Sequence, residues 1–183
     1  VPDAMAAEVS ARTLGGPLDT AVWKTDDDER ERLYAIPFST NTQLLWYRPD
    51  VLVEDVDRRR PASTWNGMLE DALVSGRNGG PTYIMVQGRQ YEGLMVWFNS
   101  VLASAGGQIV DPDDPDKVTL NDTPEHRAAT VRALETLKRV ATAPGADPSL
   151  TNSDEGAARL GMESGEALYQ VNWPFVFAGM REN

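Results

Sequence analysis

The sequence predicts an α/β fold. Short apolar, β-branched or aromatic runs alternate with longer segments whose apolar residues recur at helical spacing, and no repeat period interrupts that order. The 183 residues, 41% of them hydrophobic and 25% charged, suffice for one sizeable core and argue against disorder or a coiled coil.

The elements follow in chain order. Ala4–Arg12 reads as the end of a helix. Leu33–Phe38 is a β-rich run containing Pro37, which cannot donate to a ladder, and Leu44–Tyr47 is apolar enough to be buried on both faces. Between them Ser39, Thr40, Asn41, Thr42 and Gln43 offer uncharged donors and acceptors suited to a hydroxyl-rich ligand. After a charged linker, Ser63 or Thr64 caps a helix running to about Ser75, and glycines lead into a strand over Thr82–Val86. A helix over Tyr91–Ser104 carries Leu94, Trp97, Phe98, Val101 and Leu102 on one face; Gly106 and Gly107 end it, and Gln108–Val110 is a short strand.

Asp111–Asp116 is a solvated turn rather than a calcium loop, because Pro115 and Asp116 stand where an EF-hand needs an oxygen ligand and a glycine. Thr123 with Pro124 opens a helix to about Thr142, with Ala128, Val131, Leu134, Leu137 and Val140 expected inward. Ser153 caps the next helix, with Asp154 and Glu155 in its first turn; Ala167–Asn172 is a strand, and Pro174 starts a last helix. Asn172 and Trp173 thus fall near the carboxyl end of a strand, where open α/β sheets present ligands.

Several function classes fall away. With 17 basic against 28 acidic side chains the net charge is −11, which opposes binding to nucleic acid or an anionic membrane face. There are no cysteines, hence no disulfides, thiolate nucleophiles or cysteine zinc sites, and the single histidine, His126, sits in the first turn of a surface helix. No nucleophile elbow, phosphate loop, zinc helix or dinucleotide fingerprint occurs, and neither a metal nor a cofactor is implied. One enzymatic alternative stays open: a glycosidase whose paired carboxylates could be Glu92 and Glu155. A sugar-binding module instead needs flat aromatic faces beside amides and carboxylates, and the chain has both.

Leu33–Asp50, followed by Pro61–Asn66, resembles the extracellular solute-binding proteins of ABC importers of the maltose and trehalose type. The resemblance continues through Gln87–Gly88, Tyr91–Leu94, Gly106–Asp111, Val118–Asn121, Ser164–Ala167 and Val171–Pro174, although Gly67–Leu69 departs from that family's usual acidic residue and Leu. The ending Asn172–Phe175 is most similar to the actinobacterial trehalose-binding lipoproteins. The resemblance implies a two-lobe, type II periplasmic-binding-protein-like fold, with residues 1–42 as the end of the first lobe and a hinge crossing, and 43–183 as an incomplete second lobe. It also implies that further parts of both lobes lie outside this sequence.

What the family does is capture a sugar between two lobes and deliver it to membrane permease subunits. The implied location is extracytoplasmic, the implied membrane tether a lipid anchor outside this chain, and the implied state a monomer. Expected ligand contacts are Asn41 at the hinge, Trp173 as the aromatic platform with Asn172 beside it, and Glu155 as the carboxylate; Gln87, Tyr91 and Glu92 form a secondary group. For Glu155 a plain helix-start role weighs equally.

Overall fold

In the computed structural model of the chain, residues 1–28, 30–52 and 60–182 are described, and most of the charged linker expected before Pro61 lies outside them. The chain divides into two compact units, Val1–Thr42 and Gln43–Asn183.

The first unit holds helices α1 (Asp3–Arg12) and α2 (Gly15–Asp19) and strands β1 (Val22–Trp23) and β2 (Arg32–Leu33). The two strands pair antiparallel with Val22 opposite Leu33. The strand expected over Leu33–Phe38 stops at Leu33. Beyond it the Tyr34 N–H still bonds the Ala21 carbonyl at 2.9 Å, but Pro37 has no N–H to donate and the following Phe38 is 99% exposed.

In the second unit a three-stranded sheet has the order β3-β7-β4, from β3 (Leu44–Tyr47), β7 (Ala167–Asn172) and β4 (Tyr83–Met85). The central strand β7 is buried at every position, as its apolar sequence between two neighbours requires. β4 runs parallel to β7, while β3 runs antiparallel with Leu44 opposite Asn172 and Tyr47 opposite Tyr169. β3 is therefore an edge strand: Leu44 stays 44% exposed, contrary to the expectation of burial on both faces.

Around this sheet lie α3 (Trp65–Arg77), α4 (Glu92–Ser104), α5 (Pro124–Thr142), α6 (Glu155–Glu163) and α7 (Val176–Glu182). The main core joins Met68 and Ala72 of α3, Trp97, Val101 and Leu102 of α4, and Leu168, Tyr169 and Val171 of β7. Capping chemistry sets the helix starts. Thr64 Oγ1 accepts from the Gly67 N–H at 3.1 Å, and Thr123 Oγ1 from the His126 N–H at 3.1 Å, with Pro124 in the first turn. The first-turn place of His126 is thus structural, and its Nδ1 lies 2.6 Å from Asp122 Oδ1. Gly165, at φ +79°, makes the left-handed turn from α6 into β7. Strands β5 (Val110–Asp111) and β6 (Asp114–Val118) form a hairpin, and the Lys117 ammonium bonded to Asp111 holds that carboxyl below its usual range.

Four local expectations are corrected. The strand placed at Gln108–Val110 begins only at Val110 and pairs with β6, which itself occupies part of the acidic stretch read as a turn. The last helix starts at Val176, two residues after Pro174. Asp154, not Ser153, caps α6: its Oδ1 accepts from the N–H groups of Gly156 at 3.1 Å and Ala157 at 3.0 Å, and the Ala157 bond leads in holding its carboxyl below the usual range.

The inward face of α5 is also shifted. Ala129, Ala133, Thr136 and Val140 are buried, whereas Val131 is 45% and Leu134 52% exposed. Small side chains let α5 lie close to the end of α4: a Cβ on Gly107 would come within 3.0 Å of Ala129 Cβ. Spacing alone favours the bulkier residues; close approach selects the alanines. Ala133→Leu is therefore expected to destabilise the protein by about 1–3 kcal/mol through overpacking. Urea titration of both variants measures the difference, and Leu134→Ala should cost less than about 0.5 kcal/mol.

Candidate functional site

Because β4 and β7 are parallel, their carboxyl ends share one edge of the sheet, and antiparallel β3 begins at that edge. Residues just after β4 and β7 and just before β3 are thereby collected where open α/β sheets bind ligands. Gln87 follows β4, Trp173 follows β7, and Gln43 precedes β3. The N-termini of α4 and α6 bring Tyr91, Glu92 and Glu155.

Gln87 and Asn172, the last residue of β7, are entirely buried. Gln87 donates from Nε2 to the Val171 carbonyl at 2.7 Å and accepts at Oε1 from Gln43 Nε2 at 3.0 Å. Asn172 donates from Nδ2 to the Glu155 carbonyl and to Gln170 Oε1, both at 2.9 Å, and accepts at Oδ1 from the Trp173 N–H at 2.9 Å. Its own carbonyl accepts from Trp46 Nε1 at 3.1 Å. Both amides are therefore engaged inside the protein at the floor of this edge.

Above them stand groups with surface. The Tyr91 hydroxyl donates to Glu155 Oε2, joining α4 to α6. Burial first, and the Glu155 carboxylate second, push the Tyr91 hydroxyl far above its ordinary value, so it remains a proton donor. Arg89 Nη1 bonds Asp154 Oδ2 at 3.2 Å, and the Arg89 N–H bonds the Ser153 carbonyl at 3.0 Å, which ties the β4–α4 loop to the start of α6. Trp173 is half-buried and Glu92 exposed in the first turn of α4.

The structure thus brings together Gln87, Tyr91, Glu155, Asn172 and Trp173 from three separate stretches of sequence. Asn41 is exposed in the Val1–Thr42 unit and belongs to a separate body. Sequence reasoning missed Gln170 as part of the floor; its signal is an amide between Tyr169 and Val171, two residues before Asn172 in a mostly apolar strand. Two hollows, about 700 Å³ beside Arg60 and Trp65 and about 760 Å³ beside Glu70 and Asp71, contain no residue of this cluster. Among the described residues, no group of three or more His, Asp or Glu side chains is placed to hold a metal ion.

Residues 3–182 match the bacterial extracellular solute-binding protein family. The chain belongs to this family. It is 31% identical over 162 residues to a probable ABC transporter-binding protein of Deinococcus radiodurans, covering 82% of this chain and 36% of that one. Among solved structures it is similar to maltose-bound MalE3 of T. maritima, with a TM-score of 0.74 and 28% identity over 95% of this chain and 42% of the other. The fold is also that of a Thermotoga lettingae solute-binding protein bound to α-D-tagatose, with a TM-score of 0.73, 20% identity and coverage of 97% and 44%.

The chain therefore spans roughly two fifths of the length of these relatives. Its α/β architecture is that of type II periplasmic sugar-binding proteins. Solute-binding proteins are not enzymes, so pairing Glu92 with Glu155 as glycosidase carboxylates is set aside.

Proposed function

We propose that this chain contributes sugar-binding surface to the substrate-binding component of an ABC importer, and that the solute is a disaccharide of the maltose or trehalose kind. The observation that carries the reading is the edge where half-buried Trp173 follows Asn172, whose buried amide bonds the carbonyl of Glu155, the partner of the Tyr91 hydroxyl. An indole face suits the C–H side of a pyranose, and a carboxylate is a strong acceptor for sugar hydroxyls. The likeness to maltose-bound MalE3 supports the substrate class, and the ending Asn172–Phe175 favours trehalose within it.

In this reading Trp173, Glu155 and Tyr91 meet the sugar, Glu92 and Asn41 add hydroxyl contacts, and Gln87 and Asn172 support the floor. Residues 43–183 belong to the second lobe and residues 1–42 to the end of the first and the hinge. The protein acts outside the cytoplasmic membrane, held by a lipid anchor, as a monomer that hands its sugar to permease subunits. Among the described residues no helix is long and apolar enough to cross a membrane.

Thermal unfolding of the intact protein with maltose, trehalose and glycerol-phosphate esters tests this. One disaccharide at about 100 times its Kd should add about 2.7 kcal/mol of stability and raise the melting temperature measurably. No shift with either disaccharide sinks the reading.

A further inference from the structure

We infer that Asn172 is a positioning residue: its buried amide locks the α6 N-terminus and the Trp173 backbone to the end of β7, so that Glu155 and Trp173 face one ligand together. The inference rests on the proposed sugar reading of those two residues and assigns Asn172 a role apart from contact with the ligand.

The geometry leaves the amide one orientation. Both Nδ2 hydrogens are used, one on the Glu155 carbonyl and one on Gln170 Oε1, while Oδ1 accepts from the Trp173 N–H. A flipped amide would set oxygen against two acceptors and NH2 against a donor. Gln170 is itself held, since its Nε2 donates to Met180 Sδ at 3.1 Å, and the Trp46 indole clamps the Asn172 carbonyl from β3. One fully buried side chain therefore fixes the relation between two elements that carry the exposed chemistry. With no surface of its own, Asn172 does not meet a solute unless the sheet edge opens.

Asn172→Asp separates positioning from contact. The aspartate keeps the size and the Trp173 acceptor, but when ionised it presents oxygen to the Glu155 carbonyl and Gln170 Oε1. Burial raises such a carboxyl's pKa, and the protonated form donates one of the two lost hydrogen bonds. Maltose and trehalose are each titrated into the intact wild-type and variant proteins by calorimetry between pH 7.5 and pH 5. The neighbouring titratable groups are Glu155, Tyr91 and the Asp154–Arg89 pair; they are common to both proteins, so the variant is read relative to wild type at each pH.

The expected result is binding about tenfold weaker than wild type at the upper pH, with most of that loss recovered at the lower one. Binding equal to wild type throughout, or weakened by the same factor at every pH, overturns the inference. Should the variant not fold, Gln170→Met serves instead: it removes the acceptor from a residue with no exposed surface, and a several-fold loss of affinity is expected, with unchanged binding overturning the inference. Trp173→Ala and Glu155→Gln run alongside; if both bind as wild type, the sugar reading itself fails, independently of Asn172.

Discussion

Trp173→Ala in the intact protein is expected to weaken disaccharide binding by about 30-fold or more, because large aromatic anchors at binding sites are typically worth 2 kcal/mol or more. The melting temperature should stay close to that of wild type. Trp173 lies just past β7 and is half-buried, and it is not part of either buried cluster. Removing its ring deletes a flat apolar face while the backbone N–H that bonds Asn172 is retained. Calorimetric titration decides the matter: an unchanged Kd removes Trp173 from the site, and a large drop in melting temperature reassigns it to packing.

The opposite pattern is expected for Trp97. This ring is 2% exposed, lies 6.2 Å from the Trp65 ring centroid, and sits in the cluster that joins α3, α4 and β7. Trp97→Ala should cost about 3–5 kcal/mol, the transfer term plus the cavity it leaves. Against a total stability of roughly 5–15 kcal/mol that is a large share, and a fall of the melting temperature on the order of 10 °C follows for a unit of this size. Chemical denaturation measures it directly; a loss below about 1 kcal/mol would mean that the core collapses around the vacancy. The two tryptophans have the same chemistry in the sequence, and only their surroundings separate an anchor for ligand from an anchor for the fold.

The legible part of the chain is the part governed by local rules. Thr123 is read correctly as a helix cap, and Thr64 proves to be the cap of the two offered for α3, because a hydroxyl before an apolar-periodic run satisfies orphan N–H groups wherever it occurs. Ala167–Asn172 is read correctly as a strand because an apolar run buried on both faces has the same signature in any sheet. The α5 face is read correctly at Leu137 and Val140 and misread at Val131 and Leu134, which are more apolar than Ala129 and Ala133, while the close approach to α4 needs small side chains, a demand that arises only once both helices are in place. The cap of α6 is misassigned by one residue since Ser153 and Asp154 are both good caps, and the direction of the chain leaving the 3₁₀ turn at Leu150–Asn152 decides between them.

For the site, residue types were readable and roles were not. Asparagines, a tryptophan and a glutamate suggest sugar chemistry, since amides, indoles and carboxylates suit hydroxyl-rich rings. Which of them is buried depends on tertiary neighbours: β3 pairs with Asn172 on one side and the Glu155 carbonyl of α6 takes its amide, while Trp173, just past the strand, stays half-buried. The sequence by itself determined the α/β alternation, most helix starts, the central strand and the family. The tertiary structure alone decided which apolar face of α5 is inside, that Gln170 belongs to the floor, and that Asn172 faces protein rather than solvent, because burial and hydrogen-bond partners are set by neighbours distant in the chain.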